Sequence, residues 1–280
     1  MNLSFKRKLT GIFGGISPSL LYQLTYLHNH HRFLNLKSTN NLSSVIWRQI
    51  KSGEINQFGV YADKVGVRKY IQDWGLGVFL PQLYGVWDSF DSVDFNSLPN
   101  AFALKTNHGC GGNVICFDKS KLDLSQAKKV IDSSMASYPG GYTETHYRQI
   151  ERKVFAEELL SDNGEYPFDY KFHCWKGKIK ACLVCVERGN DDHALKKVYD
   201  ENWKEIDMLQ HNKAPYDIKC PVNWEEMKTV AKSIASHFLH VRVDLYSVNG
   251  RTYIGELTFT PNGGIMRNYT INGIRLLATD

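Results

Sequence analysis

The run Phe102-Ala-Leu-Lys-Thr106 has the apolar character of a strand. It delivers Lys105 straight into a loop, 107–113, that carries His108, Gly109, Gly111, Gly112 and Asn113. Glycines let backbone N–H groups approach phosphate oxygens closely, and a neighbouring lysine supplies a mobile positive charge. The pattern is neither G-x-x-x-x-G-K-[ST] nor G-x-G-x-x-G. Alone, it reads equally well as a turn between two strands. A second group lies near the C-terminus. On the run 240–246, Arg242, Asp244 and Tyr246 share one face, and on 251–259 Ile254, Glu256 and Thr258 share another. Asp244 and Glu256, on adjacent strands, could hold Mg²⁺ through hard oxygen ligands, or be solvated charges of an exposed hairpin. Register decides between these. A two-residue Asn249-Gly250 loop sends Asp244 and Glu256 to opposite faces, so a metal pair requires a three-residue turn with a glycine bulge. A third run, Lys153–Leu160, is an apolar strand ending in the pair Glu157-Glu158. It fits the edge of a nucleotide pocket or any strand running into a polar loop.

The elements that must position these groups read as α+β. The first 50 residues are helical with polar interruptions, and Lys64–Trp74 has helical spacing. Strands are expected at 101–105, 114–117, 154–160, 170–175, 178–186, 240–246 and 251–259. Asp123 or Ser125 caps a helix that runs to Tyr138 and is stopped by Pro139-Gly140. Asn223 caps another, running to about Phe238, with Met227, Val230 and Ile234 on its core face. The stretch 188–222 reads as polar and irregular. Strict βαβ alternation is absent, which argues against a doubly wound parallel sheet.

Composition narrows the partners. Of 280 residues with a formal charge of +5, the first 53 hold seven Lys/Arg and no acid, the first being Glu54. The other 227 carry 27 bases against 29 acids. A near-neutral body with a basic N-terminal segment is not the profile of a nucleic-acid binder. The apolar stretch 11–27 is broken by Ser17, Pro18, Ser19, Gln23 and Thr25, too polar for a membrane helix and without a small-residue cleavage site. A transit-peptide composition is present at the N-terminus, but no clean boundary follows it. Six cysteines read as reduced thiols at this size. Cys182 and Cys185 have Cys-x-x-Cys spacing, but on a strand they face opposite sides, so they read as buried thiols rather than a zinc site.

Taken in order, seven segments resemble an ATP-grasp enzyme, more narrowly the TupA-like (teichuronopeptide-biosynthesis) ATP-grasp family of polysaccharide gene clusters. They are Ala62-Asp-Lys-Val-Gly-Val-Arg-Lys-Tyr-Ile71, Phe102-Ala-Leu-Lys-Thr-Asn-His-Gly109, Glu144-Thr-His-Tyr147, Phe155-Ala-Glu-Glu-Leu159, Asp169-Tyr-Lys-Phe172, Val241-Arg-Val-Asp-Leu-Tyr246 and Gly255-Glu-Leu-Thr-Phe-Thr-Pro261. The resemblance covers roughly residues 40–265, and seven ordered pieces are specific where each alone is weak. It implies an ATP-grasp fold, two α+β lobes gripping ATP between antiparallel sheets. It divides the chain into a helical N-terminal segment (1–53), an N-terminal lobe (54–100), a central lobe (101–160) and a C-terminal lobe with the metal site (161–280). It implies that Lys64 and Lys105 contact the ATP phosphates, with the 107–113 loop closing over the γ-phosphate. The Glu157, Glu158 and Leu160 backbone would meet the adenine, and Asp169 would sit near the ribose. Lys171 would face the phosphates, and Arg242 would stabilise the transferring phosphoryl group. Asp244 and Glu256 would bind Mg²⁺. Many ATP-grasp members carry Glu-x-Asn there; this chain has Thr258 at that position, and Asn262 is the nearest substitute.

The implied chemistry is a carboxylate–amine ligation through an acylphosphate on a sugar acid, with an amino compound as second substrate. It needs positioned cations rather than a side-chain nucleophile, which suits a sequence without a Ser-His-Asp or Cys-His signature. His108 and His146 read as structural or substrate-contacting groups. Two other readings remain: a glycosyltransferase of the same pathway, and a non-catalytic nucleotide-binding module. Asp191-Asp192 lies in a polar stretch and gives no strand-end Asp-x-Asp for the former. Intact Lys105, Asp244 and Glu256 argue against the latter. The expected location is cytoplasmic. The basic N-terminal segment is either a membrane-surface contact or a solvated helical cover.

Overall fold

The computed structural model describes residues 17–109, 111–137, 141–161, 164–186 and 194–280. Lys6, Arg7, Lys8, Cys110, Tyr138, Pro139, Gly140, Asp191 and Asp192 lie outside them. The chain enters through helices α1 (Pro18–His30) and α2 (Leu42–Ser52). Asn41 begins α2 by accepting the Ser44 N–H, and Gly53 ends it at φ 80°, a left-handed cap that glycine adopts without strain. A helical turn at Gly59–Ala62 leads to α3 (Val67–Asp73), which begins three residues later than spacing suggested. Lys64 therefore lies on the turn before the helix and not on a helix face.

The smaller sheet holds β1 (Leu83–Trp87), β2 (Phe102–Thr106), β3 (Val114–Cys116) and β4 (Val154–Glu157), in the order β1-β4-β2-β3 and antiparallel throughout. Alternation divides β2 cleanly. Phe102 and Leu104 pack with Val154 and Ala156 against Ala127 and Ile131 of α4 (Leu124–Ala136), forming a separate small core. Asp123 caps α4 by accepting the Gln126 N–H at 2.9 Å. The opposite face presents Ala103, Lys105, Phe155 and Glu157. Strand β1 has no counterpart in the sequence reading, and β4 stops at Glu157 rather than Leu160.

The larger sheet holds β5 (Asp169–Trp175), β6 (Lys178–Val186), β7 (Leu195–Tyr199), β8 (His240–Val248) and β9 (Arg251–Thr258), in the order β7-β6-β5-β8-β9. Strand β7 falls in the stretch expected to be irregular. Its Lys196 and Lys197 obscure the alternation, and Lys197 is held by Glu205 and Asp217. Helix α5 (Trp224–Ala235) covers the back of this sheet with Met227, Val230, Ala231 and Ile234. Asn223 does not cap it. Its amide donates to Thr252 Oγ1 and accepts from Ser247 Oγ, tying the helix start to the β8–β9 hairpin instead. The chain closes with α6 (Ile271–Leu276). The N-terminal helices share the larger core: Tyr22 and Tyr26 are buried, and the Tyr22 hydroxyl donates to the Gly264 carbonyl at 2.8 Å.

The β8–β9 hairpin corrects one expectation. Val248 pairs with Arg251, leaving the two-residue turn Asn249-Gly250 at φ 52° and 74°, the left-handed geometry such a turn demands. Asp244 nevertheless pairs directly with Glu256, because a bulge at Gly255 shifts the register after Leu245–Ile254. A Cβ at Gly255 would lie 2.7 Å from Tyr246 Cε2 and 3.2 Å from the Asp244 carbonyl oxygen. The bulge thus does what a three-residue turn was expected to do.

Candidate active site between the two sheets

Register fixes which side chains the larger sheet turns toward the smaller one. Lys171 of β5 lies opposite Asp244 of β8, which lies opposite Glu256 of β9, and His173 lies opposite Arg242, itself opposite Thr258. Asp169, Lys171, Arg242, Asp244, Tyr246 and Glu256 therefore form one polar face. The Lys171 ammonium sits 2.5 Å from Asp169 and 2.6 Å from Asp244. Arg242 meets both oxygens of Asp244 at 2.7 Å and reaches Glu256 at 3.2 Å. Thr258 Oγ1 donates to Glu256 at 3.2 Å. Burial alone would lower the Lys171 pKa, but Asp169 and Asp244 outweigh it and raise it. Arg242 behaves the same way, held charged by Asp244, then Glu256 and Asp169. These cations stay charged although they are largely out of water.

The smaller sheet contributes the facing wall. Lys105 Nζ pairs with Glu157 at 2.7 Å, and Arg68 of α3 approaches the same carboxylate at 3.4 Å while also donating to the Pro81 carbonyl. Burial opposes the Lys105 charge; Glu157 and then Tyr246 across the cleft overcome it and raise its pKa. Lys64 joins the two walls. Its ammonium donates to the Gly109 carbonyl at 2.5 Å and lies 3.6 Å from Glu256. The Tyr253 hydroxyl of β9 reaches Glu158 at 3.4 Å, closing the cleft beside the β4 exit.

The glycine loop is anchored at both ends. Asn107 accepts the Lys64 and Lys153 N–H groups and donates to Asp63 and the Glu151 carbonyl. Gly112, at φ 65°, lies so close to α4 that a Cβ would come within 2.3 Å of Ser134. Gly109 and Gly111 also have positive φ. His108 is buried at the base of the loop, and burial together with Arg152 lowers its pKa. It is a neutral packing group as it stands.

Lys64, Glu256, Arg242, Asp244, Lys171 and Asp169 are thus joined in one chain of ion pairs, with Gly109 at its edge, and Lys105 and Glu157 form a second pair on the facing wall. Gly111, Gly112 and Asn113 continue the loop, and Glu158 and Leu160 follow β4. Two expectations change. Asp169 is 1% exposed and ion-paired to Lys171, so it braces that ammonium rather than standing open to a sugar. Asn262 is exposed on the turn after β9, whereas Thr258 donates to Glu256. Among the described residues no group of three His, Cys, Asp or Glu gathers as a metal cage. A cross-strand pair of carboxylates still fits Mg²⁺, which binds through one or two carboxylates plus substrate phosphates and water. Arg68 and Tyr253 were not singled out from sequence, and Asn107 and Tyr246 were placed on the loop and the strand face without a role. Arg68 lies in the segment that carries Asp63-Lys64, and Asn107 acquires its role from tertiary hydrogen bonds of the loop to Asp63, Lys64, Glu151 and Lys153.

A model of the TupA-like ATP-grasp family matches residues 43–272. The chain belongs to that family. Its two antiparallel sheets with flanking helices are the α+β ATP-grasp architecture. No curated protein matches the chain. Among solved structures, the TupA-like chain is similar to a D-alanine–D-alanine ligase from Bacillus anthracis complexed with ATP. That match has 15% identity, a TM-score of 0.46, and covers 79% of this chain and 57% of that one. It is also similar to the ATP-grasp ligase PsnB complexed with a phosphomimetic variant of its minimal precursor, Mg and ADP, at 15% identity and TM-score 0.43, covering 78% and 58%. An L-amino acid ligase from Bacillus licheniformis matches at 14% and TM-score 0.41, covering 72% and 44%. The chain spans less than two thirds of the length of each of these. Among the described residues no helix is long and apolar enough to cross a membrane.

Proposed function

We propose that this TupA-like protein is an ATP- and Mg²⁺-dependent carboxylate–amine ligase. Its substrates are a sugar acid of a surface polysaccharide or its precursor and an amino compound. One observation carries the reading: Lys105 from the smaller sheet, Lys171 and Arg242 from the larger, and Lys64 from the turn before α3 converge on a cleft whose carboxylates already neutralise them. Charge-matched cations of this kind suit a polyanionic nucleotide, because phosphoryl transfer is governed by positioning and electrostatics. Lys105 and Lys64 would take the phosphates, with the 107–113 loop above the γ-phosphate. Ala103, Ile115 and Phe155, beside the Glu157–Leu160 segment, offer an apolar wall for the adenine. Arg242, steadied through Asp244, would stabilise charge on the transferring phosphoryl group, and Asp169 would keep Lys171 oriented.

Asp244 and Glu256 would hold Mg²⁺, which neutralises phosphate charge when bound. The substrate carboxylate oxygen attacks the γ-phosphorus and ADP leaves. The amine then attacks the acyl carbon, phosphate departs and the nitrogen loses a proton, giving the amide. The reaction is assigned to the cytoplasm, where ATP is available. The test is ADP release with ATP, Mg²⁺ and a panel of uronic acids and amines. ADP release that requires both a uronic acid and an amine supports the ligase. Turnover of a nucleotide sugar without ATP use overturns it in favour of glycosyl transfer, and ATP binding without turnover in any combination favours a binding module. Lys105→Ala is expected to lower kcat/KM by about 10²–10³, as loss of a phosphate-stabilising donor does.

A further inference from the structure

Helix α1 is apolar on two faces, and the described residues cover only one. Tyr22, Tyr26 and His30 are buried against the core. Leu20 and Leu24, with His28 beyond them, form a stripe at helical spacing on the other side. Leu20 is 49% exposed and Leu24 43%, and Phe33, in the turn that follows, is 63% exposed. Arg32 and Lys37 flank Phe33 and are exposed too. No acidic residue occurs among the first 53.

We propose that the exposed face of α1 and the turn behind it, built from Leu20, Leu24, Arg32, Phe33 and Lys37, docks on the surface of an anionic lipid bilayer. The inference is independent of the chemistry assigned to the cleft. Apolar side chains beside cations that form no ion pair among the described residues match an interface where acyl chains lie beneath negative headgroups. A second copy of this chain would set like charges against each other. Residues 1–16 carry Lys6, Arg7 and Lys8, the same sign, and could not neutralise the patch. A soluble polyanion would satisfy the cations but leave Leu20, Leu24 and Phe33 in water. The docked helix would hold the enzyme at the surface without crossing it.

The test is flotation of the full chain with vesicles of phosphatidylcholine alone or with roughly one third phosphatidylglycerol. The protein is expected to float only with the anionic vesicles, and less at high salt. Arg32→Gln and Lys37→Gln should each lower partitioning roughly fivefold, and Phe33→Asp or Leu24→Asp at least about tenfold. All four side chains are exposed, and an unchanged thermal midpoint confirms folding of each variant. Failure of the wild type to float, or equal flotation of the Phe33→Asp and Leu24→Asp variants, overturns the proposal. So does binding to dextran sulfate that is indifferent to Phe33→Asp and unaccompanied by vesicle binding, which would mark a polyanion site. A dimer that Phe33→Asp dissolves, with no vesicle binding, would mark a second copy as the occupant.

Discussion

Among the described residues Lys105 pairs with Glu157, and that carboxylate is shared with Arg68. Glu157 is almost fully buried and must keep a cation close. When phosphate recruits Lys105, Arg68 is the group left to hold the carboxylate. Arg68→Met therefore pins Lys105 to Glu157, and is expected to raise the KM for ATP about tenfold while leaving kcat within about threefold. Steady-state kinetics would show it, and a fall in kcat at constant KM would contradict it. Two histidines set a different expectation. Burial pushes both His146 and His240 down to about 4. Their unfolded pKa is near 6.5, so the unfolded chain binds more protons between those values. Stability should be full above about pH 6.5 and decline toward about pH 4, by on the order of 3 kcal/mol per histidine. No hydrogen-bond partner among the described residues reaches either ring nitrogen of His146, so His146→Leu orphans nothing. That variant should flatten the acid side of a urea-midpoint against pH curve. An unchanged slope would show that His146 does not titrate on unfolding.

At the scale of the element, one inserted residue decides the chemistry. Gly255 turns Glu256 onto the face of Asp244 despite a two-residue turn. Gly255→Ala must move Tyr246 or the Asp244 backbone, and is expected to cost roughly 1–3 kcal/mol by denaturant unfolding. It should also cut ligase activity further than the stability loss explains, because Glu256 loses its register. Activity equal to wild type would mean that the cross-strand carboxylate pair is not used. Gly112→Ala is the matching change in the glycine loop, where positive φ and the contact with Ser134 leave no room for a methyl group. It should raise the KM for ATP and also lower the thermal midpoint, because Ser134 of α4 or the loop backbone must move; ATP titration and thermal melting would show both.

Across the whole molecule, residues 17–53, the described part of the basic N-terminal segment, are not an appendage. Tyr22 and Tyr26 are buried in the core of the larger sheet, Leu34 packs with them, and His30 Nε2 donates to the Ile265 carbonyl at 2.8 Å. Deleting residues 1–38 removes all of these. Loss of a cooperative unfolding transition is the expected result, at a cost of several kcal/mol at about 1.5–3 per buried side chain. A truncated chain that melts like the full one would return α1 to the status of a solvated cover. The N-terminal stretch also reaches the chemistry indirectly, since Tyr22 and Ile46 pack against Gly264, just beyond the strand that carries Glu256.

Local signals carried much of this in the sequence. The apolar alternation of β2, the glycines after Lys105, the Asp123 cap and the spacing of Met227, Val230 and Ile234 depend only on neighbours in the chain. So do seven ordered motifs, which sufficed for the family. Strands β1 and β7 were not legible, because a short half-exposed strand and one bearing paired lysines acquire their identity from the partners they bond to. Nor could spacing reveal that Asp169 would be claimed by Lys171, that Arg68 would share Glu157 with Lys105, or that a bulge would do the work of a longer turn. Those outcomes depend on register and burial. Only once the strands are paired is it decided which carboxylate faces which cation, and how little water is left between them.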